Sequence, residues 1–423
     1  MEKFIEYLYS KFLLCESVSI DSRTVSEGSL FFGLNGPNFN GSQYALDALD
    51  KGASFAVIDD LHDFKDPRII YCEDTLKALQ SLATFHRSFY KNPLIALTGS
   101  NGKTTTKELM YRTLSKKYIT HATFGNLNNH IGVPLTLLGI TPQTEMVIIE
   151  MGANHVGEIN ELCQMAQPTH GLITNIGHAH TATFGGFEGV VKGKSELFDY
   201  LRVNQGMPFI NTEDKVLENM IKRFENKVVY PSGDIKFVAA KPMVFYKMAE
   251  VTHQTHLFGA YNYINIAAAY AVGTYFKVEK KSLTEEINNY QPDNMRSQLL
   301  LHGSNRILLD AYNANPDSMR VALNSLKSFS GEKIAILGDM NELKDSEVKH
   351  LQLLQEVDML KLKMVIIVGP QMALIKRYFP KIKWFATSTE VAQFITGLSF
   401  EHTTILIKGS RSIELERVVS SFN

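Results

Sequence analysis

The chain has 423 residues, more than one hydrophobic core commonly supports, so two or three domains are expected. Hydrophobic residues make up 44% and charged residues 21%, a balance ordinary for a globular enzyme, and the formal net charge of −1 gives no reason to expect nucleic acid or an anionic membrane as partner. No apolar run nears the ~20 residues of a spanning helix, so no integral membrane segment is expected, and an anionic ligand must be held by local groups.

At the start, Phe4, Leu8 and Phe12 recur at i, i+4 and predict an amphipathic helix, while Glu2 and Glu6 argue against a signal peptide. Cys15 follows Leu13-Leu14 without a basic segment before it, so a lipoprotein cleavage site is discounted. Cys15, Cys72 and Cys163 are odd in number and widely spaced, which fits a reducing compartment and no metal-binding pattern. A cytoplasmic location is expected. Short strands are expected at Ser29–Phe32 and Ala53–Ile58, with turns at Gly36-Pro37 and Asn40-Gly41. A helix over Thr75 to Tyr90 leads to Asn92-Pro93, a linker because proline disfavours helix in the residue before it.

From Leu94, apolar runs alternate with amphipathic stretches, as in a parallel sheet flanked by helices. The runs are Leu94–Leu97, Met146–Ile149, Leu172–Ile176 and Pro208–Ile210. Beyond Pro292 a second series begins, at Ile307–Leu309, Ile334–Leu337, Val365–Val368 and Ile405–Ile407. Three domains follow, over 1–91, 92–292 and 293–423. Ligands of open α/β sheets gather at the carboxyl ends of strands. Those places hold Thr98-Gly99, Glu150 and Asn175, and in the last domain Asp310, Gly338-Asp339 and Lys408-Gly409.

Thr98-Gly99-Ser100-Asn101-Gly102-Lys103-Thr104-Thr105 follows an apolar strand and opens a helix expected over Thr106 to Leu114. Glycines let backbone N–H groups approach phosphate oxygens, a helix N-terminus adds partial positive charge, and Lys103 adds a full one. The Thr104 hydroxyl is placed to meet Mg²⁺. The loop is shorter than the usual phosphate-loop pattern, since Leu97 stands where the first glycine belongs. A chance Gly-Lys-Thr in a turn is the competing reading, and the strand before and helix after weigh against it. ATP binding is the strongest inference.

Mg²⁺ takes oxygen ligands and keeps several waters, so one or two groups beside Thr104 suffice. Glu150 closes an apolar strand, where a carboxylate is poorly solvated unless paired. Its competing reading is a strand-end acid facing water. His178 and His180 lack a third His or Cys at zinc spacing, and such loop histidines are most often structural. Lys192 and Lys194, read alone, are solvated helix charges. A desolvated lysine, though, becomes a nucleophilic amine that captures CO₂ as a metal-binding carbamate.

Together these pieces resemble the Mur ligase family, over nearly the whole chain. Asp21-Ser22-Arg23, Gly28–Phe32 and Gly36 resemble the segment that receives the UDP-sugar, which implies contacts from Ser22 and Arg23. Asn126–Asn129 with Ile131–Pro134 resembles the family stretch before Glu150 and implies a substrate contact from Asn128. The resemblance implies a catalytic set of Lys103, Glu150, His180 and Lys194, and metal ligation by Thr104, Glu150, His180 and a carbamylated Lys194. Residues Thr98 to Thr105 would cradle ATP, with Asn262 and Asn265 beside adenine and Arg296 reaching in from the third domain.

In that domain Asp310–Met319, Leu337–Leu343 and Lys408–Arg411 resemble the branch joining D-alanyl-D-alanine to UDP-N-acetylmuramoyl-tripeptide, which implies substrate contacts from Asn313, Asn315 and Lys408. A member adding the third amino acid, or a folylpolyglutamate-type ligase, is the alternative. A regulatory phosphate-loop ATPase would leave Asp310–Met319 unexplained, and a non-catalytic UDP-sugar binder would leave Lys103, Thr104 and Glu150 so. The implied architecture is a small α/β N-terminal domain, a central mononucleotide-binding parallel sheet and a Rossmann-like C-terminal α/β domain. ATP and Mg²⁺ are the implied cofactors, an acyl phosphate the implied intermediate, a monomer the expected state, and hinges are expected at Pro93 and Pro292. Two departures stand out: Ser42 and Tyr261 occupy places where relatives carry histidine. Whether the peptide's third residue is lysine or diaminopimelate stays open.

Overall fold

The computed structural model describes residues 2–60, 65–341 and 343–422, so Glu342 of the Leu337–Leu343 stretch lies outside the described residues. The first helix, Glu2–Phe12, buries Ile5, Leu8 and Phe12. It covers a four-stranded parallel sheet of Ser17–Ser19, Ser29–Phe32, Phe55–Ile58 and Ile69–Tyr71, in that order. Helix Thr75–Ser88 follows, begun by Asp74, whose carboxylate accepts from the Lys77 N–H.

Packing and hydrogen bonds cross the Pro93 segment. A single buried apolar cluster runs from Leu8, Phe12 and Leu82 through Leu94, Val133 and Leu137. Arg87, 4% exposed, ties the helix across the junction by donating to the carbonyls of Ala166 at 2.9 Å and Gln167 at 3.3 Å. His86 adds a bond to the Ile140 carbonyl at 2.8 Å. The hinge expected at Pro93 is therefore bridged by packing that local sequence signals do not carry.

The central sheet has six parallel strands in the order Val228–Tyr230, Met207–Asn211, His170–Ile173, Leu94–Thr98, Met146–Glu150 and Thr120–Ala122. Every residue of Leu94–Thr98 and Met146–Glu150 is buried. Helices cover both faces, so these strands read as unbroken apolar runs rather than alternating ones. Successive connections depart to opposite sides of Leu94–Thr98, which opens a crevice at its carboxyl end. An antiparallel ribbon, Ile235–Ala240, Met243–Met248 and Val251–Phe258, was absent from the sequence-based expectation. Its charged and half-buried residues lack the long apolar runs that mark the main sheet.

The last domain holds a six-stranded sheet. Gln298–His302 pairs antiparallel with Asn305–Asp310, and Thr403–Lys408, Glu332–Gly338, Met364–Val368 and Lys383–Phe385 continue it in parallel. One buried cluster includes Leu308, Leu337 and Leu406 and the other Ile307, Ile336 and Ile407, so alternate residues of each strand serve opposite faces. Its helix Pro316–Lys327 starts with a reciprocal cap between Asn315 and Ser318. That cap aims Asn315 and Asp317 at the central domain.

Candidate active site

Helix Lys103–Leu114 begins three residues before the sequence-based start, at Gly102, whose φ of 79° suits glycine. The helix N-terminus therefore falls inside the loop and takes Lys103, Thr104 and Thr105 into its first turn. The loop is shaped by its neighbour strand's exit: Ser100 N–H donates to the Asn175 carbonyl at 3.0 Å, and Asn101 N–H to Asn175 Oδ1 at 3.1 Å. The Thr174 hydroxyl donates to the Asn101 carbonyl at 2.6 Å. Lys103 Nζ folds back onto the Gly99 carbonyl at 2.8 Å. Burial pushes its pKa down, the Glu150 charge opposes that, and the Arg296 charge adds to it. An anion entering the loop would supply the missing counter-charge.

Glu150 is 1% exposed and fully engaged. Its Oε2 accepts from the Thr104 hydroxyl at 2.8 Å and its Oε1 from Asn128 Nδ2 at 2.7 Å. Its own N–H donates to the Thr123 hydroxyl at 3.0 Å. Among the described residues no group of three or more His, Cys, Asp or Glu gathers as a metal site. An adjacent carboxylate and hydroxyl beside the phosphate loop are nonetheless hard oxygen donors of the kind Mg²⁺ takes, so Thr104 and Glu150 fit that ion.

Lys194, on helix Phe187–Val203, is 1% exposed. Among the described residues its Nζ donates to the Ala153 carbonyl at 3.3 Å and lies 5.2 Å from the Phe184 ring centre. Burial first, and the Lys103 charge second, push its pKa down to about 7. A neutral amine is thus available near neutral pH, the form that captures CO₂. His180 lines the same cleft with its backbone at φ 58°.

Asn262 and Asn265 form a hydrogen-bonded chain. Thr106 Oγ1 donates to Asn265 Oδ1 at 3.1 Å, Asn265 Nδ2 to Asn262 Oδ1 at 2.9 Å, and Asn262 Nδ2 to the Phe258 carbonyl at 2.8 Å. Asn265 and Tyr261 line the cleft; Asn262 stands behind, orienting Asn265. The other departure, Ser42, bonds Asp59 at 3.2 Å within the first domain.

Across the cleft, the Arg296 guanidinium lies 3.6 Å from the Tyr312 ring centre. Lys408, 1% exposed, pairs with Asp310 at 2.6 Å and donates to the Asn313 carbonyl at 3.0 Å. The central and third domains touch directly. Asn315 Nδ2 donates to Asn101 Oδ1 at 2.8 Å, and Asp317 accepts from His178 N–H at 2.8 Å. The cleft between the two domains measures about 720 Å³.

Most expected residues thus converge. Ser100, Asn101, Gly102, Lys103, Thr105, Asn128, Glu150, His180, Lys194, Asn265, Arg296, Asn313, Asn315 and Lys408 line one cavity. Thr98, Gly99 and Thr104 sit behind its wall in the loop itself. Ser22 and Arg23 are not brought there: Arg23 is exposed and bonds its neighbour Asp21 at 2.7 Å. Sequence reasoning missed Glu158 and Asp214, which also line the cavity, and Lys107, fully buried behind Glu150. Asp214 carries a readable signal, as the cap of helix Lys215–Glu218. Lys107 looks like any helix lysine.

A parallel-sheet domain with a phosphate loop, facing a second α/β domain across a lysine- and carboxylate-lined cavity, defines a nucleotide-using enzyme whose last domain completes the site. Family models match in three consecutive pieces: "Mur ligase family, catalytic domain" over 15–87, "Mur ligase middle domain" over 97–273 and "Mur ligase, glutamate ligase domain" over 295–411. The chain is 32% identical to the UDP-N-acetylmuramoyl-tripeptide–D-alanyl-D-alanine ligase of Bacillus subtilis, covering 95% of this chain and 92% of that one. It is likewise 32% identical to the same-named ligase of Escherichia coli, covering 96% and 93%. Among solved structures, MurF from Acinetobacter baumannii superposes with a TM-score of 0.85 at 28% identity, covering 96% of this chain and 92% of that one. MurF ligase from Thermotoga maritima in complex with ADP gives 0.83 at 25%, covering 97% of each. The chain belongs to the Mur ligase family, and it has the family's three-domain α/β architecture.

Proposed function

We propose that this protein joins D-alanyl-D-alanine to UDP-N-acetylmuramoyl-tripeptide, with ATP cleaved to ADP and phosphate, in peptidoglycan precursor synthesis. The carrying observation is the near-complete, end-to-end match to ligases of that name. The cavity supports it, since a phosphate loop on one wall faces Asn313, Asn315 and Lys408 on the other.

The backbone of residues 98–105 binds the triphosphate, and Lys103 leaves the Gly99 carbonyl to neutralise its terminal group. Asn265 and Arg296 orient the base and ribose end. The tripeptide carboxylate attacks the γ-phosphorus in line, giving an acyl phosphate and ADP; the dipeptide amine then attacks the acyl carbon, and phosphate and a proton leave. Thr104 and Glu150 would hold one Mg²⁺, and His180 with carbamylated Lys194 a second, which supply charge neutralisation for the transfer. The Asn101–Asn315 and His178–Asp317 contacts bring the third domain against the loop, and its closure over bound nucleotide would keep water from the acyl phosphate. Ser22 and Arg23 receive the UDP end in the first domain. The domain limits 1–91, 92–292 and 293–423, action as a monomer, and a cytoplasmic location complete the proposal. Among the described residues no helix is long and apolar enough to cross a membrane.

The test is a panel of amines offered with ATP and UDP-N-acetylmuramoyl-tripeptide, read by ADP release and product mass. D-alanyl-D-alanine should be used at least about 100-fold better than single amino acids, as expected of a site built to hydrogen-bond its substrate. Equal or better use of a single amino acid refutes the assignment.

A further inference from the structure

Behind Glu150 lies a buried cation that the mechanism above does not use. Lys107 sits one helical turn after Lys103, and its side chain is 1% exposed. Its Nζ donates to the Thr123 carbonyl at 2.6 Å and the Gly125 carbonyl at 3.3 Å, and pairs with Glu108 at 2.9 Å. Both carbonyls belong to the segment that frames Glu150. The Thr123 hydroxyl accepts from Glu150 N–H, and three residues past Gly125 the Asn128 amide donates to Glu150 Oε1. The Asn128 carbonyl in turn accepts from Gly152 N–H at 2.7 Å, closing the frame on the far side of Glu150.

We infer that Lys107 is a positioning residue for the metal–nucleotide site: it clamps the 123–128 segment so that Thr123, at the Glu150 backbone N–H, and Asn128, at Oε1, keep the Glu150 carboxylate facing Thr104. A buried ammonium has few ways to be satisfied, and two carbonyls with one carboxylate use all three of its donors. Removing it frees the segment at Thr123, which accepts from the Glu150 N–H, and at Gly125, three residues before Asn128. The carboxylate then loses its fixed orientation while the phosphate loop, anchored separately on Thr174 and Asn175, keeps its shape. The inference rests on the reading of Glu150 as an Mg²⁺ ligand and is independent of which amine is joined.

The measurement is ADP binding by isothermal titration to the full chain, with Mg²⁺ and with EDTA, for wild type, Lys107→Met and Asn128→Ala. Lys107→Met should weaken ADP binding about tenfold with Mg²⁺ and leave it unchanged in EDTA, the size typical of outer-layer partners of metal ligands. In the Asn128→Ala background, Lys107→Met should add little, because both act through one segment. Should Lys107→Met not fold, Lys107→Gln keeps a donor at the site, and a smaller Mg²⁺-specific loss is expected of it. A folded variant with wild-type Mg²⁺-dependent affinity, or one weakened equally with and without Mg²⁺, overturns the inference. Failure of D-alanyl-D-alanine as substrate would leave it untouched.

Discussion

Gly99 offers a sharp test of how the phosphate loop is built. Its φ is +143°, and a Cβ there would lie 2.0 Å from Thr174 Oγ1 and 3.0 Å from Thr174 N. That hydroxyl is not free to swing away, because it donates to the Asn101 carbonyl inside the loop. Gly99→Ala therefore meets two penalties. The backbone strain costs about 1–3 kcal/mol, and the overpacking adds about 1–3 kcal/mol. Gly157 is the control, in the same domain at φ +102° with nothing within 4 Å of its Cβ position. Gly157→Ala should lose only the first amount. Urea unfolding of both variants measures the difference, and titration with ADP measures the loop. Gly99→Ala should be the less stable of the two by about 1–3 kcal/mol and bind ADP at least about tenfold more weakly, since a 1.4 kcal/mol distortion of the cradle suffices for that. Equal stability of the two variants, or wild-type ADP affinity in Gly99→Ala, refutes the reasoning.

Three further outcomes are expected. Lys103→Met should lower ATP-dependent product formation by at least about 100-fold, as removal of a group stabilising transition-state charge does, measured by steady-state phosphate release. Lys194→Ala should be inactive and partly restored by added short-chain carboxylates, because the void left by a 1%-exposed side chain can admit the anion the carbamate would supply; activity against acetate or formate concentration checks this. Burial pushes His170 down from its usual 6.5 to about 4, so below pH 6.5 the unfolded chain binds a proton that the folded one refuses. Stability should fall as pH drops from 6.5 toward 4 and level off below, by at most about 3 kcal/mol. Urea midpoints across that range should fall less in His170→Phe.

The parallel sheets were legible because strands buried on both faces carry apolar runs, as Met146–Ile149 and Ile405–Ile407 do. The antiparallel ribbon was not, since half of Ile235–Ala240 is exposed and its pairing depends on partners elsewhere. The turn between strand and helix at Gly99 to Gly102 was legible because its positive-φ positions call for glycine. Lys107 was not: burial of a lysine is decided by what packs over it, here the 123–128 segment. The packing across Pro93 was not legible for the same reason, because the apolar residues that bridge it come from helices far apart in the chain.

By itself the sequence determined the local chemistry: strand, loop and helix around Gly99 to Thr105, acid and amide at strand ends, and two runs of α/β pattern. Each follows from forces acting over a few residues, such as alternation, capping and glycine's backbone freedom. Only the tertiary structure decided which surfaces meet. It set Asn315 against Asn101 and Asp317 against His178, stripped water from Lys194, and left Arg23 outside the cavity. Desolvation and interdomain contact are sums over residues distant in sequence, and no local pattern encodes them.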